Sequence, residues 1–196
     1  MESNFFKTNT YFIDEKVNFL KFENTYHVYN ENGEMIGGIF QKLSVGEKIL
    51  RLLINKAMMP FKLEIRNQNG DLEASVNRGW TFFMSKITIT DGQGLPVGII
   101  RQKFKLFKPT FKIMNIVEQQ IGEISGDWKA WNFQIKDGNG AGIGTISKKW
   151  NGIAKEMFTT ADKYIVHMDA NATDDKVKSI ILSAAITIDM VLKESK

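Results

Sequence analysis

At 196 residues, 43% of them hydrophobic, the chain is large enough to bury a sizeable core without covalent staples. It has no cysteine, which excludes disulfides, thiolate metal sites and cysteine nucleophiles and fits a reducing compartment. Its 26 Lys and Arg against 22 Asp and Glu leave a net charge of +4, a weak pull toward anionic surfaces that by itself does not choose between nucleic acid and lipid headgroups. At the N-terminus, Glu2 and the broken run Asn4, Phe5, Phe6, Lys7 provide no continuous apolar core of the kind a secretory signal needs, so a cytoplasmic protein is expected.

From there the chain alternates between strands and turns. Clusters at Asn30 to Gly33, Asn67 to Gly70, Asp91 to Gly94 and Asp137 to Gly140 separate runs rich in β-branched and aromatic residues. They read as hairpin turns, because glycine and asparagine tolerate the positive φ that tight and bulged hairpins demand. A related phrase recurs along the chain: Ile36, Gly37, Ile39; a weakened copy at Leu72, Glu73, Ser75; then Val97, Gly98, Ile100; Ile121, Gly122, Ile124; and Ile143, Gly144, Ile146. A repeat spaced at about two strands plus two turns predicts consecutive hairpins, as in an antiparallel meander or barrel. The glycine within each phrase is expected to mark a bend or a close approach to an enclosed element.

Between the first two hairpins, residues 45 to 56 predict a helix. Ser44 and Glu47 have capping-box spacing, and Val45, Ile49, Leu52 and Leu53 share one face, expected to pack against the outside or a mouth of the barrel. Further on, Gly92 to Val117 contains Arg101, Lys103, Lys105, Lys108 and Lys112 and no acidic residue. Period-two geometry puts Arg101, Lys103 and Lys105 on one sheet face and Gln102, Phe104 and Leu106 on the other. The resulting basic ridge is the candidate site, suited to phosphate headgroups. Stacking of nucleic-acid bases on Phe104, Phe107 and Phe111 is disfavoured, since alternation turns at least Phe104 inward.

The chain ends in a helix expected from Lys176 to Leu192. Ile180, Ile181, Leu182, Ala184, Ala185, Ile186, Ile188, Met190, Val191 and Leu192 surround its axis instead of marking one stripe, so it must be enclosed on all sides. Its uncharged run, Ser179 to Ile188, is shorter than the roughly 20 apolar residues that span a bilayer, and Asp189 interrupts its far end. No transmembrane span is expected. A sheet closed around this helix would bury it. Thr173 is the expected cap, with Asp174 and Asp175 in the first turn, where carboxylates suit the helix dipole.

Catalysis finds little support. His27 and His167, the only histidines, lie in alternating strands as packed or surface imidazoles. No glycine-serine elbow, phosphate loop or paired-histidine spacing occurs. A non-enzymatic protein with no catalytic residues, metal site or cofactor is expected, organised as one domain over residues 1–196.

Three passages carry a family resemblance: Val97 to Gln102 followed by Pro109 to Asn115; Gly144 to Asp162, with its Ser147, Lys148, Lys149, Trp150 core; and the final helix with Ile188, Asp189, Met190. Together they make the chain similar to the phospholipid scramblase and LURP-one-related proteins, which share a superfamily with tubby proteins. The resemblance implies a mainly β fold with few helices (α+β), a closed twelve-stranded antiparallel barrel around a buried hydrophobic C-terminal helix. Members range from proteins proposed to move lipids between leaflets, through phosphoinositide binders, to proteins of unknown role. It therefore implies an anionic phospholipid or phosphoinositide surface as partner, with a protein partner as the alternative, a peripheral place on the membrane, and scrambling with the last helix inserted as a further reading. The chain departs from the family at its calcium segment, which maps onto Thr160 to Asn171. Thr160 and Asn171 stand at the first and last liganding positions, with Asp162 and Asp169 off the pattern, so an ordinary turn is expected there in place of a high-affinity calcium site.

Overall fold

The computed structural model describes residues 5–18, 23–50, 53, 58–80, 86–103, 110–127, 129–148, 163–170 and 174–194. Twelve strands follow in order: β1 (Thr10–Asn18), β2 (Glu23–Tyr29), β3 (Met35–Lys42), β4 (Phe61–Asn67), β5 (Leu72–Arg78), β6 (Lys86–Asp91), β7 (Pro96–Lys103), β8 (Thr110–Met114), β9 (Gln120–Asp127), β10 (Asn132–Asp137), β11 (Gly142–Ser147) and β12 (Lys163–Met168). Helix α1 (Val45–Leu50) lies between β3 and β4, and α2 (Asp175–Glu194) ends the chain. Every strand pairs antiparallel with its sequence neighbours, and β12 returns to β1 through Tyr11 opposite Val166 and Ile13 opposite Tyr164, closing the barrel. Closure leaves no exposed sheet edge.

Side-chain alternation drives this architecture. In β10, Phe133 and Ile135 are buried while Asn132, Gln134 and Lys136 face out, so one strand supplies both core and surface. The inward set of all strands meets α2, whose residues from Lys178 to Val191 are all buried, with Leu182, Ala184, Ala185, Ile186 and Ile188 at 0% exposure. The expected enclosure is therefore present. Asp174 caps the helix, its Oδ1 accepting from Lys176 N at 2.8 Å, while Thr173 lies outside the described residues. Lys178 ties the chain's beginning to its end: its Nζ donates to the carbonyls of Phe6 and Thr8 at 2.9 and 3.3 Å, and Phe5 and Phe6 are buried beside it.

The four expected turns are present and share one geometry. In each, the Asn or Asp side chain accepts from backbone N–H groups two and four residues on, as Asp137 does from Asn139 and Ala141 at 2.9 Å, and the glycine sits at φ of 77 to 86°. A fifth copy, Asn115 to Gln119, connects β8 and β9. Asn115 accepts in the same way from Val117 and Gln119, but Glu118 takes the glycine position at φ 62°.

The strand glycines divide. Gly98 meets the expectation of close approach to the helix, since an added Cβ would lie 2.7 Å from Ile180 Cδ1. Gly37, Gly122 and Gly144 face a neighbouring strand's backbone instead, with Arg66 O, Lys136 O and His167 O at 2.1, 2.7 and 2.3 Å from an added Cβ.

Two local expectations are corrected. Helix α1 has the capping box, Ser44 N and Oγ donating to Glu47 Oε2 at 2.7 and 2.8 Å, but none of its residues is buried, and Val45 and Ile49 are 76% and 56% exposed. Its predicted extension to Lys56 falls mostly outside the described residues. Within the segment expected as a turn before α2, the strand expected around His167 is present as β12: Tyr164, Val166 and Met168 alternate inward, Lys163 is also buried, and only His167 is exposed. Thr160, Asp162 and Asn171 lie outside the described residues.

Candidate functional site: a basic row across three strands

Strands β6, β7 and β8 align Lys86, Arg101 and Lys112 as register partners on the outer face, with Glu123 of β9 next in the row. Alternation accounts for the placement: Ile100 and Gln102 on either side of Arg101 are buried, as are Phe111 and Ile113 beside Lys112. Arg101 is exposed and Lys112 half-buried, and Lys112 makes no ion pair among the described residues. Lys103 belongs to β7, opposite Thr110. Lys105 and Lys108 lie outside the described residues, as do Phe104, Leu106 and Phe107. Of the five expected ridge residues, the structure thus brings Arg101 and Lys112 into one row and adds Lys86.

A carboxylate also joins the ridge. Glu118, reaching over from the β8–β9 turn, accepts from Lys86 Nζ at 2.6 Å and pairs with the Arg101 guanidinium. The Lys86 hydrogen bond and the Arg101 charge together hold its carboxyl below the usual range. Sequence reading stopped at Val117 and so missed Glu118. The available signal was Asn115, which opens the same five-residue turn as the other four but lacks the glycine.

A second cation group surrounds Glu64 on β4. Arg66 donates through Nε and Nη2 to Glu64 Oε2 at 3.0 and 2.8 Å, with Lys62 and Lys42 at 3.4 and 3.7 Å from the carboxylate. Burial pushes the Glu64 pKa up, but the Arg66 hydrogen bonds and the three cations outweigh it, and the carboxyl titrates below its usual range. Lys42, Lys62 and Arg66 line an open groove of about 770 Å³ that Ser44 and Glu47 continue toward α1.

Within the barrel, Ser179, Ser183 and Thr187 repeat every four residues along α2, and their buried hydroxyls find no hydrogen-bond partner among the described residues. Asp189, which ends the helix's uncharged run, is fully buried. Burial and then the Asp189 charge push the Tyr164 phenol well above its ordinary value. His167 stays at the surface, its Nδ1 3.0 Å from Thr10 Oγ1, and His27 lies half-buried beside Tyr29.

The family model described as Scramblase matches residues 13–195, the barrel from β1 through the end of α2. The chain belongs to the scramblase family. Among curated relatives, this scramblase-family chain is 24% identical to Altered inheritance rate of mitochondria protein 25 of Saccharomyces cerevisiae, over 87% of the chain and 61% of the yeast protein. It is 30% identical to human Phospholipid scramblase 1 over 57% of the chain and 37% of the human protein. The chain thus spans less than two thirds of each relative's length. A crystal structure of a protein from Arabidopsis thaliana covers 93% of the chain, and the chain covers 91% of it, with a TM-score of 0.56 at 10% identity, which shows a shared fold. No helix among the described residues is long and apolar enough to cross a membrane.

Proposed function

We propose that this scramblase-family barrel is a non-catalytic binding protein that docks on anionic phospholipid or inositol-phosphate headgroups at a membrane surface. The supporting observation is the Lys86, Arg101, Lys112 row, a line of cations running across three rigid strands with Lys103 on the same sheet sector. Such a line meets many phosphates of a lipid surface at once, and each cation near an anionic membrane contributes about 1 kcal/mol, weakening with salt. Lys105 and Lys108, expected from the sequence as part of the same ridge, lie outside the described residues. Sedimentation with vesicles of graded anionic content at low and high salt tests the reading. Binding should rise with anionic fraction and fall with salt, and binding indifferent to both would remove it.

A second reading, protein scaffolding, draws on α1, where Val45 and Ile49 are 76% and 56% exposed, and on Leu53 beyond it, 78% exposed. Recovery of one stoichiometric protein and no lipid, lost on replacing Ile49 with Ser, would favour it. Scrambling by insertion of α2 would require the barrel to release a helix whose residues from Ser179 to Met190 are all buried, a disruption of the core comparable with unfolding the domain.

A further inference from the structure

A cavity of about 350 Å³ opens at the barrel mouth where α2 begins. Ile113, Ile180 and Ile181 are its buried floor, at 4%, 3% and 1% exposure, while Val177 and Ile143 are half-buried and Ile121 is 37% exposed. Ile121 holds the position in its hairpin that Ile36, Val97 and Ile143 hold in theirs; those three are partly buried against the core, while Ile121 is the more exposed. Apolar surface is therefore left in water on one sector of the mouth.

The gap has a sequence cause. Gly122 and Gly142 line the cavity, and a Cβ added to Gly142 would meet nothing within 4 Å. At the rim stand Lys136, Asp137 and Asp174, and Lys136 makes no ion pair among the described residues. The next turn tip carries Ile116 and Val117, 60% and 67% exposed, so the entrance adjoins further apolar surface.

From this arrangement we infer that the cavity between the β8–β9 and β10–β11 hairpins and the first turns of α2 binds one hydrocarbon chain of an amphiphile. Its interior is wholly aliphatic, with no aromatic face for a ring to stack on and polar groups confined to the rim. Its volume lies in the range of about 300–1,000 Å³ that small-molecule pockets occupy. A chain inserted end-on covers Ile121, Ile143 and Val177 and leaves its head beside Lys136. The site uses none of the outward cations of the basic row, so it stands or fails separately from headgroup docking.

The test titrates the full chain with lysophosphatidylcholines of roughly eight to fourteen carbons, below their micelle concentrations, where each methylene is expected to tighten binding up to about fourfold until the cavity is filled. A parallel series of free fatty acids distinguishes a lipid from a free acid as the source of the chain, and saturable one-to-one binding of either supports the proposal. Gly142→Leu, which fills the space, and Val177→Phe, which fills it from the helix side, should each weaken binding at least tenfold. Both should keep the parent circular dichroism and vesicle binding. Absence of saturable binding in both series, affinity independent of chain length, or unchanged affinity in a folded filling variant would overturn it.

Discussion

Glu64 and Glu118 are both carboxylates held below their usual titration range by surrounding cations, but they sit in the wall differently. Glu64 projects from the middle of β4, its side chain only 10% exposed, with Arg66 two residues along the same strand fixed against it. Glu118 arrives from a turn, is 43% exposed, and holds a backbone conformation that its four counterparts reserve for glycine. The first is part of the sheet's own electrostatics. The second lies on top of the basic row as an exposed counterion to Lys86 and Arg101, in the position that the proposed headgroup contact requires it to leave.

The largest effect expected from this contrast is on stability, in the β4 sector. Glu64→Gln removes a shielded acceptor of charge-assisted hydrogen bonds and should cost about 1.5–3 kcal/mol in denaturant unfolding, leaving vesicle binding unchanged. The pH dependence follows from the same group. Its folded pKa is lowered from the ordinary 4.5, so its stabilisation is complete above that value and disappears as pH falls through the depressed value. Thermal melts carried from neutrality to well below pH 4.5 should show a steeper acid loss in the parent than in Glu64→Gln, and parallel curves would count against the assignment.

Next in size is Arg101→Ala, expected to weaken low-salt binding to anionic vesicles about fivefold, the equivalent of about 1 kcal/mol, with little change in unfolding. A large loss of stability without loss of binding would reverse the roles given to the two sectors. Glu118→Gln should move binding the other way, raising low-salt vesicle affinity roughly two- to threefold by freeing Lys86 and Arg101. The smallest effect is on the turn itself. Glu118→Gly restores the residue type of the other four turns and should leave the melting temperature unchanged or slightly raised, because relief of the left-handed conformation offsets two exposed ion pairs.

Turn chemistry and periodicity were the most readable parts of the chain. Four of the five Asx turns and the wall-to-wall burial of α2 are legible because each rests on local residue identity: glycine at a positive φ, or apolar residues on every side of a helix. The fifth turn escaped because Glu118 carries none of glycine's signal, and with it went the carboxylate that most alters the candidate ridge. Strand β12 was legible only around His167, which alternation places in a strand, and its full extent was not. Its six residues include Lys163 and His167, and only pairing with β1 and β11 gives Tyr164, Val166 and Met168 an inside to face.

By itself, then, the amino-acid order determined a meander of hairpins, an apolar helix that had to be enclosed, and a stretch of cations with alternating orientation, since all three follow from neighbours a few residues apart. Only the tertiary structure decided that Lys86 aligns with Arg101 and Lys112, that Glu118 folds onto them, that Asp189 is buried inside the barrel, and that one sector of the mouth stays open. Those features depend on strand register and barrel closure, which bring together side chains distant in sequence, and no local pattern encodes their meeting.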